Sequence, residues 1–98
     1  MSDKRSYELT FIVRIDPNEE VMNETVDQVK AWVEDEGNGQ VRKIDRWGRR
    51  RLAYEIDKQR EGYYVLFEAD IDPAHLDELE RNMRLSGDVL RYLVINPD

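Results

Sequence analysis

An α+β fold of order βαββαβ, a four-stranded antiparallel sheet with both helices on one face, is predicted by three features: an internal repeat, two matching helix starts and a polar turn between extended runs. The repeat is ungapped. Tyr7 to Pro17 (YELTFIVRIDP) and Tyr63 to Pro73 (YYVLFEADIDP) share five of eleven residues at an offset of 56, so one structural unit is used twice. Tyr7, Leu9, Phe11, Val13 and Ile15 alternate along the first copy, and Tyr63, Val65, Phe67, Ala69 and Ile71 along the second, which is the period of a half-buried strand. Each strand stops at Asp-Pro. The carboxylate of Asp16 or Asp72 can cap free amides, and Pro at the first helical position gives up no needed donor. Glu19, three residues after Asp16, completes the spacing of a capping box.

The first helix is expected from Pro17 to Glu36, with Met22, Val26, Val29 and Val33 in one stripe that Thr25 and Trp32 widen, and Gly37-Asn38-Gly39 ends it. The second runs from Pro73 to Arg84, carries Leu76, Leu79 and Met83 at three- and four-residue spacing, and closes at Ser86-Gly87. Between them, Gln40 to Ile56 and Tyr63 to Ile71 form a hairpin across the polar turn Asp57 to Gly62, and Val89 to Ile95 supplies the last strand. Two right-handed crossovers then place the repeated strands side by side at the centre of the sheet, where they are expected to run parallel. Lys4 and Arg5 would share one end of the sheet with Lys58 and Arg60. Odd-numbered residues of both strands face the helices. Glu8, Thr10, Ile12, Arg14, Tyr64, Leu66, Glu68 and Asp70 face away, and the apolar ones among them are either scattered exposure or the centre of a docking surface.

In the second strand Leu52, Tyr54 and Ile56 alternate as core residues, which sends Arg49, Arg51, Ala53 and Glu55 to the opposite face. Val41 is out of phase with that set and Gly48 interrupts it, so a bulge is expected between Asp45 and Gly48. Trp47 beside it either covers the core margin or is an exposed anchor. The one histidine, His75, lies in the first turn of the second helix, a solvent-facing position by expectation.

Ninety-eight residues with 40% apolar and 38% charged side chains suffice for one domain, residues 1–98, and leave no room for a second. Zero cysteines exclude a disulfide framework, an iron–sulfur cluster, a thiolate zinc site and a cysteine nucleophile. Neither a secretory leader nor a membrane-spanning run is legible, so a cytoplasmic location is expected. Net charge is −7, yet residues 41 to 60 hold eight basic and three acidic side chains on an otherwise acidic body. Such a segment is either an edge strand guarded by cations or a phosphate-binding stripe. No Ser-His-Asp set or Gly-rich phosphate loop is apparent. The stretch Glu61 to Phe67 (EGYYVLF) fails the ribonucleoprotein pattern at Glu61, Tyr64 and Val65, which argues against base stacking in that style.

Lys43 to Ile56 (KIDRWGRRRLAYEI), then Lys58-Gln59, Gly62-Tyr63 and the closing VLRYLV, together with the opening Tyr-Glu-Leu and the Asp-Pro helix start, resembles the ribosomal protein six family of the bacterial small ribosomal subunit over nearly the whole chain. The resemblance implies a ferredoxin-like fold, no enzymatic activity, no cofactor and no metal. It also implies a structural role in translation, binding the central domain of 16S ribosomal RNA together with small-subunit ribosomal protein eighteen. Two departures stand out: Asp57 follows Ile56 where a basic or small polar residue is common, and the chain stops at Asn96-Pro97-Asp98 without the long acidic tail of some members. On this reading Arg5, Arg49, Arg50, Arg51, Lys58, Arg60 and Arg91 are candidates for phosphate contacts. Trp47, Tyr64, Leu66 and Leu93 are candidates for protein docking. The isolated chain is expected to be monomeric, with no membrane and no small-molecule substrate among its partners. The competing readings are a ferredoxin-like small-molecule-binding domain and a homodimeric interaction module, since one fold hosts many functions.

Overall fold

The computed structural model describes residues 4–97. Four strands, β1 (Arg5–Val13), β2 (Gly39–Ile56), β3 (Gln59–Ile71) and β4 (Val89–Ile95), form one sheet in the order β2-β3-β1-β4. Helices α1 (Glu19–Glu34) and α2 (Leu76–Leu85) occupy the two crossovers. Every neighbouring pair is antiparallel, β1 with β3 included, where Arg5 stands opposite Ile71 and Val13 opposite Tyr63. The expected parallel run of the repeated strands is therefore wrong. A crossover brings β2 back parallel to β1, and the hairpin then turns β3 against both. Lys4 and Arg5 accordingly lie at the opposite end of the sheet from Lys58 and Arg60, and no shared basic end exists.

The alternation that sorts the two faces holds. Leu9, Phe11, Val65, Phe67, Ala69 and Ile71 have no exposed surface, Tyr7 and Val13 are buried, and Tyr63 packs against the cluster at its margin. Val26, Val29 and Val33 of α1 and Leu79 and Met83 of α2 close over them on one side. Phe11 and Phe67 meet edge to face with ring centroids 5.0 Å apart, the geometry that sets the positive edge of one ring against the negative face of the other.

Helix α1 begins later than the Asp-Pro signal implies. Asn18 is its N-cap, its side-chain oxygen accepting from the Glu20 amide at 3.0 Å, while Asp16 Oδ1 accepts from the Asn18 amide at 2.8 Å and shapes the turn before it. At α2 the expected cap is present. Asp72 accepts from Ala74, Pro73 opens a short 3-10 turn, and the α-helix follows from Leu76. His75 is buried rather than solvent-facing, because that tighter turn rotates it inward. Its Nε2 donates to the Trp32 carbonyl at 2.7 Å and so ties α2 to α1.

Three register shifts interrupt β2, and the first two, each a single extra residue, decide where its side chains point as far as Leu52; the third lies between Arg51 and Ile56. Val41 pairs with Ala69 and Lys43 with Glu68, leaving Arg42 bulged; Arg46 pairs with Val65 and Gly48 with Tyr64, leaving Trp47 bulged. Each extra residue moves every later side chain to the other face. Past Trp47, Arg49 consequently stands beside Tyr63 on the helix side, and Leu52 lies on the bare side, reversing the expected phase. Leu52 is buried there, Tyr54 is exposed and Ile56 half-buried. The hairpin turn is also tighter than expected, with Asp57 at φ 47° and Lys58 at φ 64°, the left-handed pair of a type I′ turn. Beyond the end of β1, the rest of β2 and β3 continue as a two-stranded arm, and the molecule measures 43 × 26 × 23 Å.

Gly62 lets the arm join the sheet closely. A Cβ there would stand 2.2 Å from Ile12 Cγ2 and 3.5 Å from Leu52 Cδ2. Because Ile12 is β-branched and stiff, Gly62→Ala is expected to cost about 1–3 kcal/mol, read as a lower urea midpoint with an unchanged slope.

Candidate macromolecular interface

Even-numbered positions of β1 and β3, with Arg91, Leu93 and Ile95 of β4, point away from the helices and meet no covering element among the described residues. The register assembles them in rows. Leu93, Thr10 and Leu66 lie side by side, and Arg91, Ile12 and Tyr64 form the next row, ending at Gly48. The bulge turns Trp47 onto this face, where its ring stacks on Tyr64 with centroids 6.4 Å apart and planes within 13°. Arg50 lies over Trp47, its guanidinium carbon 5.8 Å from the ring centroid. Trp47 is thus on the far side of the sheet from the core cluster and 46% exposed, with Leu93 at 57% and Ile95 at 42%.

All four residues expected to dock a protein, Trp47, Tyr64, Leu66 and Leu93, share this one face. Ile95 and Leu52 extend it. Ile95 keeps phase with Arg91 and Leu93 and could have been found from that alternation, whereas Leu52 required knowing that one residue near Trp47 was extra. A shallow dip of about 110 Å³ lies among Thr10, Ile12, Tyr64, Arg91 and Leu93. Toward the Arg5 end the same face turns ionic. Lys43 stands 3.8 Å from Glu68 and 3.7 Å from Asp45, and Arg42 stands 3.1 Å from Asp70 and donates to Ser6 Oγ at 2.9 Å.

The seven cations proposed for phosphate do not form one patch. Arg50 and Arg91 border the apolar strip, so they share a face with the docking residues. Arg51, Lys58 and Arg60 lie on the arm. Arg49 sits on the helix side, its Nε 2.9 Å from Glu61, and Arg5 is at the distant end of β1. Arg60 stands 3.8 Å from Glu55, whereas Arg5, Arg50, Arg51, Lys58 and Arg91 have no ion pair among the described residues. Exposed pairs such as Arg49–Glu61 and Arg60–Glu55 are worth only about 0–1 kcal/mol, so even these cations can be recruited by a stronger anion.

Arg14 was not visible as a functional residue in the sequence, where it reads as one more outward cation. In the structure it is the arm's anchor. Its guanidinium is paired with Asp57 in the hairpin turn and donates through Nε to the Gly87 carbonyl at 3.0 Å, while its amide donates to the Asp88 carbonyl at 2.8 Å. The charge of Asp57 is thereby compensated, and Lys58 is the charge of the turn with no ion pair among the described residues. Among the described residues no cluster of His, Asp and Glu is arranged to hold a metal, and no helix is long and apolar enough to cross a membrane.

The strand order, the single helical layer and the bare opposite face together define a ferredoxin-like fold. Residues 6–96 match the model of the family described as ribosomal protein S6. Similar proteins include the small ribosomal subunit protein bS6 of Moorella thermoacetica, 46% identical over 92% of this chain and 91% of that protein. The bS6 of Streptomyces griseus is 42% identical over 96% and 97% of the two chains. Among solved structures, the 30S ribosomal protein S6 of Thermotoga maritima superposes with a TM-score of 0.86 at 34% identity, covering 94% of this chain and 86% of that one. The chain belongs to the ribosomal protein S6 family of the small ribosomal subunit.

Replacing Arg14 by Ala is expected to remove the anchor at a cost of about 1 kcal/mol, as befits a part-exposed charged hydrogen bond. Hydrogen exchange would show the effect locally, with the amides of Ile56 and Gln59, paired across the turn, exchanging faster while those of β1 are unchanged.

Proposed function

We propose that this chain is a structural constituent of the small ribosomal subunit that binds the central domain of 16S ribosomal RNA together with small-subunit ribosomal protein eighteen. It performs no chemistry of its own, works in the cytoplasm on the ribosome and is monomeric when isolated. The observation that carries this reading is the uncovered sheet face, where Trp47, Tyr64, Leu66 and Leu93 form an apolar strip bordered by Arg50 and Arg91, neither of which has an ion pair among the described residues. An apolar centre with an aromatic anchor and a polar rim is the anatomy of a protein interface. Family membership points the same way, since its relatives in Moorella thermoacetica and Carboxydothermus hydrogenoformans are small ribosomal subunit proteins.

Charge divides the labour. A body of net charge −7 repels RNA at long range and attracts a basic protein. The protein partner then supplies most of the counterion release, and Arg50, Arg51, Lys58 and Arg91 add local phosphate contacts, with Arg49 and Arg60 joining once their carboxylates let go. Arg5, alone at the other end, would touch a separate stretch of backbone.

The test is a titration of the central-domain RNA with this chain alone and with its partner. The chain alone is expected to bind weakly and the pair tightly. In the paired measurement, Arg51→Gln and Lys58→Gln are each expected to lower the slope of log K against log salt by roughly one or less. Tight, salt-sensitive binding by the isolated chain would contradict the division.

A further inference from the structure

We propose that the cleft between the start of α1 and the base of the arm receives a segment of the protein partner in which a Lys or Arg side chain neighbours an apolar one. The inference rests on the partner reading above and adds a second contact on the helical side of the molecule. The cleft holds about 540 Å³, within the roughly 300–1,000 Å³ of most ligand pockets. Ile15, Pro17, Met22 and Tyr63 make it apolar, and Asp16 and Glu19 stand on its rim.

The free charge at the rim is negative. Neither Asp16 nor Glu19 has an ion pair among the described residues. Of the cations beside them, Arg49 is paired with Glu61 at 2.9 Å, and Arg46, which donates to Asn23 Oδ1 at 2.7 Å, keeps its charge and offsets only one of the two carboxylates. An ammonium or guanidinium is drawn to the carboxylates of Asp16 and Glu19 and lets an adjacent apolar side chain reach the floor. A second copy of this chain would bring another net −7 and is the poorer match.

Gly48 joins the cleft to the opposite face. It lines the wall with φ 85°, and nothing lies within 4 Å of where its Cβ would stand, so the strand is notched beside Trp47. A partner chain lying on Trp47 and Tyr64 can cross the β2 edge at this notch and enter the cleft. Wrapping the edge in this way adds area toward the roughly 1,200–2,000 Å² that stable interfaces bury.

The test compares two charge reversals in the full chain, Glu19→Lys on the rim and Asp27→Lys on exposed surface of α1 outside the cleft, by calorimetric titration with small-subunit ribosomal protein eighteen. Glu19→Lys is expected to weaken binding by about ten-fold or more and Asp27→Lys by less than about three-fold. The milder Glu19→Gln is expected to fall between wild type and Glu19→Lys. In the wild-type chain, partner addition is expected to shift the amide signals of Asn18, Glu19, Met22 and Gly48. Equal weakening by the two reversals, or tight binding that leaves those amides unmoved, overturns the cleft contact alone. No binding by the wild-type chain overturns the partner reading and the cleft together.

Discussion

The antiparallel, in-register pairing of β1 with β3 is the constraint from which the rest follows. Once Leu9 faces Phe67 and Phe11 faces Val65 on one side, every second residue is committed to the other side. Fully burying side chains of this kind is worth about 1.5–3 kcal/mol each, against about 0–1 kcal/mol for an exposed ion pair. The core therefore dictates the display. Tyr64 and Leu66 stand on the bare face because Val65 and Phe67 must be beneath the helices.

Much of this was legible in the residues. The repeat located both central strands, their faces and both crossovers, and it needed only period-two counting. Two similar segments suggest a common direction, although the hairpin before the second copy forces it to run the other way. The phase of Leu52 was lost for a different reason. A bulge near Gly48 was expected, but its effect depends on whether one residue or two are added and on where, and that is settled by pairing across the strand at Val65 and Tyr64. His75 escaped because a 3-10 turn and an α-turn differ in where they aim a side chain, and Asp-Pro begins either. Arg14 escaped because its partners, Asp57 and the Gly87 carbonyl, are far away in the chain and close only in space.

The electrostatic pattern carries a physical lesson. Twenty-two acidic residues could have quenched the basic segment, and toward the Arg5 end of the bare face they do, through Lys43 with Glu68 and Arg42 with Asp70. Around Tyr64 and Trp47 the carboxylates give way to rings and aliphatic chains, and Arg50 rests on an indole. An arginine held by a π-face keeps its hydrogen-bond donors for another molecule, which a carboxylate-bound one does not. Affinity for an anion and for an apolar surface can then reside within a few ångströms of each other.

Strand β1 is threaded between β3 and β4, so it is clasped by two neighbours that are synthesised after it, the outer one after the inner. The long arm of β2 and β3 can close by itself while synthesis continues, since its strands are joined by a two-residue turn. The sheet as a whole cannot. Until Val89–Ile95 has emerged, one flank of β1 has no hydrogen-bonding neighbour, so completion of the nascent sheet waits for the last of its four strands.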